Sequence, residues 1–141
     1  PKPDDIVLEV GTGSGYQAAV LSLLVHAVFS IEIIEPLAAR AAARLQRLGY
    51  DNVHTSTRDG YYGWPEEAPF DGILITAAAP DVPPPLVEQL KPGGRLVAPL
   101  GVPFGHQMLV LVEKDANGAV TRRDVLPVAF VPLTGSLGAK R

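Results

Sequence analysis

The 141-residue chain contains no cysteine. Disulfides, thiolate-ligated zinc, thiol nucleophiles and dithiol redox chemistry are excluded together. Basic clusters are also scarce. No Lys/Arg run exceeds the pair Arg122-Arg123 and the formal charge is −3, so the electrostatic footprint of a nucleic-acid binder is missing. Long hydrophobic runs are absent too: the longest, Ala18 to Ile31, is interrupted by Ser22, His26 and Ser30 and is too short to span a bilayer. No basic segment leading into an apolar stretch opens the chain, which argues against a signal peptide. The expectation is a soluble, cytoplasmic protein with neither nucleic acid nor membrane as partner. Residue 1 is proline and the sole methionine is Met108, so the sequence reads as a processed chain or as the later part of a longer one.

What is present is apolar and patterned. An apolar fraction of 47% with 19% charged residues excludes disorder, and the length suits one domain, predicted over 1–141. Ile6 to Val10 is a short β-branched run ended by Gly11, the pattern of a buried strand. The glycine-rich turn Gly11-Thr12-Gly13-Ser14-Gly15 follows, then helical spacing from Tyr16 to about Ala27. A second strand is predicted from Val28 to Ile34, and Pro36 opens a helix over about 37–48 that Gly49 stops. Val53 to Ser56 reads as a third strand, Arg58 to Pro69 as loop, and Phe70 to Thr76 as a fourth strand. A short helix follows the Pro83-Pro84-Pro85 run. Pro92-Gly93-Gly94 is read as a tight turn into a strand over Arg95 to Pro99. The end of the chain breaks the alternation: Met108 to Glu113 and Ala119 to Phe130 flank Asp115-Ala116-Asn117-Gly118, a hairpin signal. The expected fold is α/β in three layers, a parallel sheet with a C-terminal antiparallel hairpin.

The first turn carries the chemistry. A strand, Gly-x-Gly-x-Gly and a helix let backbone approach a ligand closely and offer it the unpaired N–H groups of the helix start. Dinucleotide folds use Gly-x-Gly-x-x-Gly, but Tyr16 stands where the third glycine would fall, and no lysine is near for a phosphate loop. The acid-x-Gly-x-Gly-x-Gly form of Glu9 to Gly15 resembles instead the cofactor turn of S-adenosylmethionine (SAM) methyltransferases. A bare strand–helix turn without ligand is the alternative. Two further acids fit the first reading: Glu32 at the end of the second strand, suited to accept both ribose hydroxyls, and Asp59 before Gly60, suited to accept from an adenine amine.

The stretch Val7 to Ala19 resembles the first motif of the protein-L-isoaspartate (D-aspartate) O-methyltransferase family. Asp59-Gly60 with Gly63-Trp64-Pro65, Phe70-Asp71 through Thr76-Ala77-Ala78-Ala79-Pro80, Leu90 to Leu96 and the closing Phe130 to Gly135 are similar to the family as well. The resemblance implies a Rossmann-like SAM-methyltransferase core. The cofactor would be held by Glu9, Val10, Gly11, Thr12, Gly13, Ser14, Gly15, Glu32, Ile33, Asp59, Gly60 and Thr134. Thr76, Ala77, Ala78, Ala79 and Pro80 would face the substrate, a damaged protein or peptide containing isoaspartate. Arg58 departs from a usually small residue and is expected to crowd the adenine edge. The family's Ser-Gln-Pro-like stretch, whose serine lies at the reacting centre, has no counterpart here, so no catalytic residue is assigned.

The chemistry is consistent with a carboxylate acceptor. Hydroxyl and amine acceptors usually need a general base, and Thr76 to Pro80 offers none. A carboxylate with an unperturbed pKa of about 4 is already ionised at neutral pH. His26, His54 and His106 share no motif and are read as packing or surface residues, and no metal site is expected. SAM-dependent transfer to another small acceptor, or a non-catalytic SAM-binding module, remain the alternatives.

Overall fold

The computed structural model describes residues 2–11, 15–101 and 106–128. Strand β1 (Ile6–Val10) leads to helix α1 (Tyr16–Ser22), β2 (Ala27–Glu32), helix α2 (Glu35–Arg47) and β3 (Val53–Thr57). Two 3₁₀ turns, Gly60–Tyr62 and Pro65–Glu67, come before β4 (Phe70–Ile75) and the short helix α3 (Pro84–Glu88). Then β5 (Leu90–Gly101), β6 (Gln107–Lys114) and β7 (Val120–Val128) follow. All seven strands form one sheet in the order β3-β2-β1-β4-β5-β6-β7. The pairings from β3 to β5 are parallel, and β5–β6 and β6–β7 are antiparallel. The reversal in chain order after β3 places β1 and β4 side by side, the switch point where open α/β sheets bind ligands beyond the strands' carboxyl ends.

Register explains the layers. Leu8, Ile73, Leu96 and Val112 are cross-strand neighbours on one face, and each is at most 2% exposed. With Phe70, Leu86 and Leu90 they form the main core, so α3 lies on this side. Full burial of each such side chain contributes roughly 1.5–3 kcal/mol. Val7 and Val28 point the other way and pack with Ala18 and Val25, which seats α1 on the opposite face. Helix α2 joins it there through Ala38, Ala41 and Leu45, with Leu45 and Ala41 both adjoining Gly15 at the start of α1.

Several boundaries differ from the sequence reading for local reasons. Helix α1 stops at Ser22 although Leu23 and Leu24 continue its apolar spacing, and both leucines are exposed. The Asn52 side-chain amide donates to the carbonyls of Ser22 (2.8 Å), Val25 (3.4 Å) and His26 (3.3 Å), which fixes the descent into β2. Pro92-Gly93-Gly94 is a bulge inside one long strand rather than a turn before it: Phe70 pairs with Leu90 and Gly72 already with Arg95. The hairpin turn is anchored by Asp115, whose Oδ1 accepts from the backbone N–H groups of Asn117 (2.8 Å) and Ala119 (2.9 Å). The part of the closing strand beyond Val128 lies outside the described residues.

Candidate functional site

Three acids stand at the carboxyl ends of adjacent parallel strands. Glu9 on β1 is completely buried, and its Oε1 accepts from the Ser30 hydroxyl at 2.6 Å. Ser30 lies directly opposite it in the β1–β2 register. Its other oxygen, Oε2, has no hydrogen-bond partner among the described residues. Burial pushes the carboxyl up to about 7, the Ser30 hydrogen bond pulls it down, and the charge of Glu32 adds a smaller upward push. A buried acceptor left unmatched in this way is costly in a fold that binds nothing there, and it suits a site that receives a donor.

Glu32 ends β2 and is 9% exposed; its Oε2 accepts from the Ile34 N–H at 3.1 Å. The next residue, Ile33, presents an apolar side chain 36% exposed. Asp59 follows β3 by two residues, and its Oδ1 accepts from the Tyr61 N–H at 3.0 Å, capping the first 3₁₀ turn. The backbone ties these acids together: the Arg58 N–H donates to the Glu32 carbonyl at 3.2 Å, and the Gly11 N–H to the Ile31 carbonyl at 2.8 Å.

The glycines are required by geometry at two points. Gly11 has φ +104, a conformation L side chains rarely adopt, and a Cβ there would collide with Thr76 Oγ1. Gly60 is buried, and a Cβ there would collide with Val10 Cγ1. The Asp59-Gly60 turn and the glycine turn therefore adjoin through Val10, which is 2% exposed. Gly15 is also left-handed, at φ +86, and caps the start of α1. Thr12, Gly13 and Ser14 lie outside the described residues, as do Thr134 and the closing stretch from Phe130 to Gly135.

Residues expected to face a substrate are held tightly. The Thr76 hydroxyl donates to the carbonyls of Val10 (3.0 Å) and Gly11 (2.9 Å), binding the end of β4 to the glycine turn. Ala77, Ala78 and Ala79 are at most 8% exposed, and Ala79 bridges to Leu100 of β5. Pro80 is exposed. Sequence reading did not single out Ser30, though a hydroxyl in an otherwise apolar strand was the available signal. The histidines behave as surface or packing groups: His54 stacks on Phe29 at 4.9 Å and His26 is exposed. A separate cavity of about 340 Å³ between α1 and α2 is lined largely by apolar groups such as Val20, Leu23 and Leu45, and none of the three acids lines it. No group of three or more potential metal ligands occurs among the described residues.

A sheet of this order, with a glycine turn after β1 and acids ending β1 and β2 and following β3, defines the Rossmann-like fold of the SAM-dependent methyltransferases. Within that class the chain belongs to the protein-L-isoaspartate (D-aspartate) O-methyltransferase family, whose profile matches residues 2–138. It is 66% identical over 134 residues to protein-L-isoaspartate O-methyltransferase 1 of Nitrosospira multiformis, covering 95% of this chain and 57% of that protein. A second relative, protein-L-isoaspartate O-methyltransferase 2 of Syntrophobacter fumaroxidans, is 65% identical over 94% of this chain and 53% of its own length. The chain thus spans little more than half the length of these curated relatives. Among solved structures, a protein-L-isoaspartate O-methyltransferase superposes with a TM-score of 0.91 at 35% identity, over 97% of this chain and 44% of that one. A Plasmodium falciparum structure described as a member of the same family, in complex with S-adenosyl-L-homocysteine, matches with a TM-score of 0.77 at 27% identity, covering 94% and 67%.

Proposed function

We propose that the chain forms the SAM-binding core of an enzyme that methylates the carboxylate of L-isoaspartyl and D-aspartyl residues in damaged proteins, the first step of their repair. The observation that carries the reading is Glu9, Glu32 and Asp59 on three adjacent strand ends around Gly11, in a chain whose family match runs nearly end to end. The unmatched, buried Glu9 Oε2 supports a ligand that brings a hydrogen-bond donor to this turn, as the amino-acid group of SAM would.

Each residue has a task in this reading. The backbone from Gly11 to Gly15 seats the amino-acid portion, and Glu9 lies beneath it with one buried oxygen open to a hydrogen bond. Glu32 accepts from the ribose hydroxyls, Ile33 lies against the sugar–base edge, and Asp59 with the Gly60 backbone receives the adenine. Thr76 fixes the wall between cofactor and acceptor, because its hydroxyl is spent on two carbonyls. When bound, SAM supplies a methyl group on a positively charged sulfur. An acceptor carboxylate needs no base to attack it, and the transfer neutralises both charges, so a dry pocket favours the reaction. Residues 1–141 as one domain, and a cytoplasmic location, belong to the same proposal. For the described residues, no helix is long and apolar enough to cross a membrane.

Calorimetric titration tests the cofactor: SAM and S-adenosylhomocysteine are expected to bind and NAD is not. Glu32→Ala should weaken SAM by about 1–3 kcal/mol, through lost hydrogen bonds to a charged acceptor. Transfer is tested with an isoaspartyl peptide against its normal aspartyl counterpart. A base-labile methyl ester formed only on the former is the expected product. SAM binding with transfer to a different acceptor, or to none, would replace this reading by one of the two alternatives.

A further inference from the structure

We infer that Arg58 is a positioning residue that holds the Asp59–Tyr61 turn against the end of β2 and thereby sets how strongly the chain discriminates the base of its cofactor. The inference rests on the reading of Asp59 as the adenine acceptor. The segment between β3 and β4 has only two three-residue 3₁₀ turns, which have little stability of their own. Something else must fix it. From the inside it is fixed by Gln89, which is 8% exposed: its Oε1 accepts from the Trp64 N–H at 2.9 Å and its Nε2 donates to the Tyr62 carbonyl at 2.8 Å.

From the outside it is fixed by Arg58. The guanidinium carbon lies 4.7 Å from the centre of the Trp64 ring, Nε donates to Ser56 Oγ at 3.1 Å, and Nη1 faces the Glu66 carboxylate at 3.3 Å. Trp64 is itself set edge-on to Phe29 of β2, with ring centres 5.1 Å apart. The root of the side chain is anchored as well, through the Arg58 N–H to the Glu32 carbonyl. The Arg58 side chain, expected from the sequence to lie at the adenine edge, contacts Trp64, Ser56 and Glu66. The Glu66 side chain is 66% exposed, so the ion pair contributes little; the ring contact and the Ser56 hydrogen bond do most of the holding. Lysine cannot replace this arrangement, because a single ammonium cannot cover the ring and reach both partners at once. Asp59 is the next residue, so slack at Arg58 passes directly to the carboxylate that receives the base.

Trp64 is the chain's single tryptophan, so its emission reports on the surroundings of this one ring, the Arg58 guanidinium among them. The test compares the wild-type chain with Arg58→Lys and with Ser56→Ala, which removes only the Nε hydrogen bond. The readout is the affinity ratio between S-adenosylhomocysteine and S-inosylhomocysteine, which lacks the exocyclic amine. Arg58→Lys is expected to shift Trp64 emission in the ligand-free chain and to cut the ratio by about 3–10-fold, the worth of one degraded hydrogen bond. Ser56→Ala should produce a smaller fall in the same direction, and the unfolding midpoints should move little. A ratio held within about twofold in both variants, with wild type still preferring the adenine ligand, overturns the role of Arg58 and leaves the cofactor reading intact. A wild-type chain without that preference, or an unchanged preference in Asp59→Ala, overturns the adenine reading and this inference with it.

Discussion

Glu9 combines complete burial with one oxygen that no described residue satisfies, and this has a consequence for stability. The carboxyl titrates at about 7 in the folded chain against 4.5 for an ordinary glutamate, chiefly because burial disfavours its charge. Between those values the folded state keeps a proton that the unfolded state has released, so stability falls as pH rises from 4.5 to 7 and is level above that. The gap corresponds to about 3 kcal/mol. Glu9→Gln removes the titration but leaves an oxygen to accept from Ser30. In urea unfolding of the ligand-free chain, the variant should gain on wild type by up to about 3 kcal/mol between pH 5 and pH 8. Parallel pH profiles for the two proteins would show that Glu9 is not held as a neutral acid. Part of this residue's environment was legible beforehand. The acid before a glycine turn was plain in the sequence, whereas the Ser30 partner depends on a register that pairs residues 9 and 30 across two strands.

At the scale of elements, the same local signals served two different structures. Val7 to Val10 and Phe70 to Ile75 are apolar enough on both faces to be read directly as buried parallel strands. Pro92-Gly93-Gly94, in contrast, supports a turn or a bulge equally well, and only the pairing of β4 with β5 decides for the bulge. The two 3₁₀ turns were invisible because three residues give no periodicity to read. No local signal ends helix α1 at Ser22, because the group that meets its last carbonyl sits thirty residues away, in the amide of Asn52. Removing that amide should be costly for this reason: Asn52→Ala leaves three carbonyls without their donor, and the loss is expected at about 1–3 kcal/mol. Denaturant titration measures it, and faster amide exchange at His26 and Ala27 should accompany it. Their N–H groups both donate to the Asp5 carbonyl. A stability change below about 0.5 kcal/mol would mean that the descent into β2 is fixed by the sheet instead.

The whole molecule is unevenly closed. One face of the sheet is sealed from β1 to β6 by the row of Leu8, Ile73, Leu96 and Val112. On the other face α1 and α2 lie over β2 and β3, while Leu74, Val97 and Leu111 of the next strands are only half-buried. The acids and glycines of the proposed cofactor site belong to the well-closed half. Binding and transfer should therefore separate in this chain. In the proposed reading, binding draws on the strand ends from β1 to β3, but displacement also requires the acceptor carboxylate to be aligned with the methyl group and shielded from water. Alignment alone can lower a barrier by about 7–11 kcal/mol. In the proposed reading the described groups on the acceptor side are the buried alanines 77–79 and Thr76, whose hydroxyl donates to the Val10 and Gly11 carbonyls, and the alanine side chains offer a peptide carboxylate no hydrogen bond. The 141-residue chain is thus expected to bind S-adenosylhomocysteine yet transfer methyl groups to an isoaspartyl peptide slowly. Joined to the part of the Nitrosospira multiformis relative that it does not match, it should show a large rise in turnover and a much smaller change in cofactor affinity. Methyl incorporation by the two proteins, measured at saturating SAM, decides the matter. Equal turnover would show that the acceptor is aligned by residues of this chain alone.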